Sequence, residues 1–370
     1  MKKVDLTKWI LVLSVFTAIV FCADYVKKEK EDNIEEYAED IVQQIDTDVL
    51  TDDTYEIDNE NIHTTINVTD SGYDIFTCNG YGYRYGPSIM YYDDGSMDLW
   101  LSSPGNNSTE WDYIRYMHSD DGENWSEEEV VLRPTRGSLD HYSTCDPGVI
   151  YFNGYYYIGY TSTTNPDGYD NDIYVARSEN PNGPFEKWNG TGWGGKPAPI
   201  IDYTGEPEYW GVGEISFCIK EDKLYCYYSY YGDSGAQTRV NISDLSDDWP
   251  AKLYFKGIAF YRNEGEDSCD VAYIEEIDKF LAVTIGSRLT SQANITICES
   301  SDGVNYEKTD SVTENVHVYS HSVGITKKPD GSINLDDPLY VGYAYGNMGW
   351  GKWSCCFQPI EIQGFIETTN

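Results

Sequence analysis

One pattern recurs along the chain and limits what it can fold into. A turn-forming or acidic residue opens a short apolar strand, a tight turn follows, and an aromatic strand returns. The fullest copy runs Cys145-Asp146-Pro147-Gly148-Val149-Ile150-Tyr151-Phe152, then Asn153-Gly154, then Tyr155-Tyr156-Tyr157-Ile158-Gly159-Tyr160-Thr161. Asn-Gly between two such runs is a hairpin signal, because both residues tolerate the left-handed backbone that a two-residue turn needs. Variants open at Gly86, Gly213, Asp270 and His321. Starts spaced by roughly 50 to 65 residues predict five copies of one supersecondary unit.

A second signature, Ser-x-Asp-Gly-x-Asn-aromatic, appears at Ser119–Trp125 and Ser300–Tyr306, each preceded by a strand with alternating polarity. In such a turn the Asp carboxylate accepts backbone N–H groups and Gly takes positive φ, so the motif reads as structural. Four short strands per unit and five units make an all-β chain, a five-bladed β-propeller of about 300 residues. Tyr73–Cys78 is expected to close the ring, since an open last blade would leave an unpaired edge.

The 370 residues divide into three parts. Residues 1–23 place Lys2, Lys3 and Lys8 before an apolar run from Trp9 to Cys22, short for a membrane span, and read as a signal peptide or signal anchor. Residues 24–70 read as an acidic linker, and 71–370 as the propeller domain. The protein is therefore expected to be secreted, or extracytoplasmic and membrane-anchored, with its N-terminal segment contacting the membrane. The formal charge of −38 repels nucleic acid and disfavours polyanions, while neutral ligands and Ca²⁺ are compatible with it. The cysteines in strand-like runs read as buried free thiols, and no Cys/His spacing suggests zinc.

First strands of the blades line a propeller's axis, so their starting residues converge on one mouth. That rule gathers Arg84 and Tyr85, Asp146, Glu214, Asp270 and His321. Trp210, four residues before Glu214, is the preferred aromatic for stacking on a sugar ring, and Arg288 is a candidate donor to sugar hydroxyls.

Over about residues 80–360 this pattern resembles the five-bladed propeller glycoside hydrolases, the arabinanase and β-xylosidase family 43 type and the related invertase-like family 32. The resemblance rests mainly on Asp146-Pro147-Gly148-Val149-Ile150 and on Gly213-Glu214. It implies a glycosidase acting on a neutral oligo- or polysaccharide, with Glu214 as general acid, Asp146 as the orienting carboxylate and His321 near a channel cation. No cofactor is required. The resemblance breaks in blade one, where the family has a catalytic Asp and this chain reads Arg84-Tyr85-Gly86-Pro87. Three explanations stay open: Asp270 supplies the second carboxylate, Tyr85 serves as a nucleophile, or catalysis is lost and a carbohydrate-binding propeller remains.

Overall fold

The computed structural model describes residues 62–366 except 108, 264 and 348. The signal or anchor segment, and the linker up to residue 61, lie outside the described residues. Among the described residues no helix is long and apolar enough to cross a membrane.

The chain enters with β1 (Ile62–Val68), β2 (Tyr73–Phe76) and β3 (Gly82–Tyr83). Blade one comprises β4 (Tyr85–Tyr91), β5 (Met97–Asn107), β6 (Glu110–Ser119) and β7 (Glu129–Leu132). Blade two comprises β8 (Cys145–Phe152), β9 (Tyr155–Ser162), β10 (Asp172–Ser178) and β11 (Glu186–Lys187). Blade three comprises β12 (Gly211–Lys220), β13 (Lys223–Gly232), β14 (Gly235–Asp244) and β15 (Tyr254–Tyr261). Blade four comprises β16 (Cys269–Ile274), β17 (Lys279–Gly286), β18 (Asn294–Ser300) and β19 (Glu307–Val312), with the short β21 (Ser332–Ile333) beside β16. Blade five comprises β20 (His321–Lys327), β22 (Leu339–Tyr345) and β23 (Lys352–Ile366), completed by β1. Blades one to three are antiparallel meanders, blade four adds β21 parallel to β16, and blade five takes its outer strand from β1; the five-bladed reading of the sequence holds.

The turns form as their residues dictate. Asn153 and Gly154 take φ of 50° and 83°. Asp121 accepts the N–H groups of Glu123 and Asn124, and Asp302 those of Val304 and Asn305. Aromatic and aliphatic side chains fill the wedges between blades. One such core packs Phe152, Tyr157, Phe217 and Trp249 between blades two and three. The eight described cysteines are free thiols, six of them buried.

Ring closure differs from expectation. Tyr73–Phe76 does pair with β23, but the outermost strand of blade five is β1, antiparallel to β23 from Ile62↔Ile366 to Val68↔Ile360. The folded domain thus starts within the stretch assigned to the linker. β1 buries Ile62, Thr64, Ile66 and Val68, and the Thr64 N–H and hydroxyl donate to buried Glu299 of blade four at 2.9 Å each. Lys279 neutralises that carboxylate at 2.6 Å.

A second buried pair closes the axis. Lys327 on β20 reaches Asp270 on β16 at 2.6 Å and also donates to the carbonyls of Phe217 and Val271. The Lys327 side chain is 4% exposed. Losing one partner of a buried ion pair strands the other charge. Lys327→Met is therefore expected to lower unfolding free energy by about 3–5 kcal/mol, read as an earlier urea midpoint.

Candidate active site

The mouth is built by backbone irregularities at the starts of the inner strands. In blades one, two, three and five the register with the second strand slips, between Tyr85/Ser88, Cys145/Gly148, Gly213/Ser216 and His321/Gly324. Each slip is a β-bulge, which re-aims a side chain. The bulged residues Gly86, Asp146, Glu214 and Ser322 have φ of 58°, 51°, 53° and 53°. For a residue with a Cβ this left-handed conformation costs roughly 1–2 kcal/mol. Hydrogen bonds from the preceding blade hold it: the Asp146 N–H donates to Ser102 Oγ and the Glu214 N–H to Thr161 Oγ1, each at 2.8 Å.

An interblade hydrogen bond gives the register. The N–H three residues after the bulge donates to a side chain of the blade before: Val149 to Ser88, Val271 to Ser216, and Ile325 to Asp270. Ser88 and Ser216 lie two residues beyond their own bulged positions. Asp270 therefore occupies the second place beyond Ser268, and blade four's counterpart of Asp146 and Glu214 is Ser268. This corrects the expectation for Asp270. Its carboxylate accepts from Ser216 Oγ, Lys327 Nζ and the Ile325 N–H at 2.6, 2.6 and 3.0 Å, and it serves as an axial strut. The axial cavity of ≈30 Å³ that it shares with Asp146, Glu214 and Ser322 has room for about one water molecule.

The third carboxylate at the mouth is Asp267, which the sequence reading passed over. It is 1% exposed, accepts the Ser322 N–H at 2.6 Å and faces Arg288 Nε at 3.3 Å. Arg262, also missed, lies 3.9 Å from Glu214 Oε2 with its guanidinium over the Tyr231 ring. No periodicity marks either residue, because both lie on the irregular connection from β15 to β16.

These charges act on one another. Burial, then repulsion from Glu214, pushes Asp146 up to about 8. Burial and Asp267 raise Glu214 as well, opposed by Arg262 and Arg288. Burial also pushes Asp267 upward, but Arg288, His321 and the Ser322 amide outweigh it and hold Asp267 low. Burial keeps His321 neutral, down at about 4. Both carboxyl groups are thus raised, and their titrations are linked. Arg262 and Arg288 favour the ionised form of Glu214, while burial and Glu214 favour the protonated form of Asp146.

The other expected residues divide. Tyr85 is buried beside His321, Trp350 and Trp353, with ring centroids 6.3, 5.8 and 5.8 Å away. Burial and Asp112 raise its phenol well above the ordinary range, which keeps it protonated and unsuited to nucleophilic attack. Arg84 does not join the mouth cluster. It makes a bidentate ion pair with Glu128 at 2.9 and 2.5 Å and lies over the Phe76 ring. Trp210 connects through Tyr231, 6.3 Å away. Trp350 is 68% exposed and propped edge-on by Trp353 at 4.7 Å, a fixed indole at the rim.

This architecture is that of the five-bladed propeller glycoside hydrolases. Among solved structures the chain is similar to Zg3597, a family 117 glycoside hydrolase of the marine bacterium Zobellia galactanivorans, at 16% identity over 82% of this chain and 91% of that one, with a TM-score of 0.58. A thermostable family-43 glycoside hydrolase aligns at 16% identity over 80% and 98%, with a TM-score of 0.55. The endo-arabinase of Bacteroides thetaiotaomicron aligns at 16% over 78% and 98%, with a TM-score of 0.54. No family model matches the chain, and no curated protein matches it. What is shared is the glycosidase fold.

Proposed function

We propose that the protein is an exported glycoside hydrolase, secreted or held at the membrane by its N-terminal segment, that cleaves a neutral oligo- or polysaccharide. The observation that carries this reading is the pairing of Asp146 and Glu214. They occupy equivalent left-handed bulges of adjoining blades and line one cavity, and the groups around them favour a proton on Asp146 and an ionised Glu214. One protonated and one ionised carboxyl group is the state that both retaining and inverting hydrolysis require.

Asp146 gives its proton to the leaving oxygen as the bond to the anomeric carbon breaks, and Glu214 attacks that carbon or draws a proton from the attacking water. Proton donation, which the family resemblance implied for Glu214, thus passes to Asp146, for the electrostatic reason given above. Two carboxyl groups and water suffice, without a cofactor. The charges of the mouth support a neutral substrate: Asp267 and ionised Glu214 balance Arg262 and Arg288. Trp350 offers its exposed face to a sugar ring.

The test is product release by the full chain from a panel of neutral oligosaccharides and aryl glycosides, with the double variant Asp146→Asn/Glu214→Gln as blank. Products from the wild type alone are expected, and equal release by the blank would sink the reading. A second reading, a carbohydrate-binding propeller without catalysis, is favoured by Gly86, which leaves the bulged position of blade one without an acid. It predicts saturable glycan binding with no product.

A further inference from the structure

Blades one to two and two to three are linked at the mouth by a neutral hydroxyl, Ser102 or Thr161, that accepts the N–H of the next bulged residue. Between blades four and five the acceptor is the carboxylate of Asp267, at 2.6 Å from the Ser322 N–H. A charged group thus stands where a hydroxyl serves elsewhere, and the second oxygen makes no hydrogen bond. That oxygen faces Arg288 Nε at 3.3 Å, close enough for ion pairing but out of line for a hydrogen bond.

Arg288 is fixed at its backbone, while its buried Nε makes no hydrogen bond. Its N–H donates to Gly265 O, the next N–H donates to Ser320 O, and the flanking Ser287 and Leu289 have φ of 51° and 55°. The side chain is 34% exposed, and its charge reaches Glu214 and Asp146 as well as Asp267. The charged or titratable groups around Glu214 are Asp146 from blade two, Arg262 and Asp267 from the β15–β16 connection, Cys269 and the Lys327-paired Asp270 on β16, Arg288 from the β17–β18 connection, His321 on β20 and Tyr231 at the end of β13.

Building on the hydrolase reading, we infer that Asp267 is a positioning residue for Glu214. It draws the Arg288 guanidinium to the Ser322 side of the mouth and so leaves the Glu214 carboxylate free for substrate. The carboxylate set of this chain then lies on blades two, three and four, one blade further round than in the enzymes it resembles, which accounts for an acid set without a member in blade one. Asp267 itself does not touch the reacting atoms. Without its charge, Arg288 turns to Glu214 and neutralises it.

The test follows the carboxyl carbon of Glu214 by carbon-13 NMR in full-length protein labelled at glutamate, assigned by its disappearance in Glu214→Gln. In Asp267→Asn the midpoint of Glu214 is expected to fall by about one unit or more, since a negative neighbour is lost and a positive one gained. In Asp267→Asn/Arg288→Met it rises again, because the released guanidinium is gone. A spacer role for Asp267 predicts a recovery no larger than the rise that Arg288→Met alone produces. An unmoved midpoint in Asp267→Asn, or a double variant that titrates like the single one, overturns the inference.

Asparagine keeps an oxygen for the Ser322 N–H, so the fold is expected to survive. If it does not, Arg288→Met alone must raise the Glu214 midpoint, and an unchanged value is equally fatal. In turnover, Asp267→Asn should lose on the order of tenfold or more. The titration is read without substrate. A shifted midpoint in a protein that cleaves no glycan removes the hydrolase reading and keeps the Asp267 assignment, whereas full activity with an unmoved midpoint removes only the assignment.

Discussion

Glu214→Ala is expected to abolish hydrolysis of aryl glycosides, by at least the 10²–10⁴-fold that a positioned acid–base group contributes, and to recover in azide with formation of a glycosyl azide. On the proposed mechanism the variant removes the attacking or water-activating carboxylate but leaves Asp146, Arg262 and the exposed Trp350 indole in place. Azide needs no general base and fits the space vacated by a carboxyl group. Its attack forms the carbon–nitrogen bond as the aryl oxide leaves, so the azide has the anomeric configuration opposite to that of the substrate. Stereochemistry makes this decisive. An azide of unchanged configuration would mean that a glycosyl intermediate formed on another residue, and that Glu214 was the proton donor after all.

Asp146→Asn should show the complementary pattern. Loss on the order of 10²–10⁴-fold is expected for a poor leaving group such as a second sugar, with little loss for dinitrophenol, which departs without a proton. The pH profile gives an independent reading. In the wild type Asp146 must be protonated, so activity falls as pH rises through about 8, where burial and Glu214 place its midpoint. The low-pH limb reflects protonation of Glu214, and each limb is a property of the pair. In Asp146→Asn the high-pH limb should vanish. An unchanged limb would assign it to another group.

Much of this was legible in the sequence, and the failures have definite causes. The blade count followed from turn chemistry, because Asn153-Gly154 and the Asp-Gly turns at Asp121 and Asp302 leave the backbone little choice. Asp146 and Glu214 were found because Asp-Pro-Gly and Gly-Glu put an acid where an apolar strand starts. Blade four has no such marker. Cys269 and Asp270 pair in regular register with Thr284 and Val283, so the acid nearest the apolar run was chosen and the one three residues earlier was missed. What engages Asp270 is Lys327, distant in sequence and invisible to local reading. Arg84 was misplaced because neighbouring residues of an extended chain face opposite ways. The ion pair with Glu128 holds it away from the mouth, while Tyr85 turns toward His321. The alternation of Ile62, Thr64, Ile66 and Val68 was present too, but the acidic stretch before it hid a strand with so few apolar side chains.

The pairing of β1 with β23 makes the first and last strands of the described chain a single clasp. β1 has no sheet partner until β23 exists, so the earliest of the described strands to be made is among the last to find its place. Contacts of such long sequence separation slow folding, because loop entropy is lost before the pairing repays it. Until then Ile62, Ile66 and Val68 stay uncovered, and β23 keeps an open edge. A chain begun at residue 71 would carry that open edge permanently and offer it to the next copy of itself.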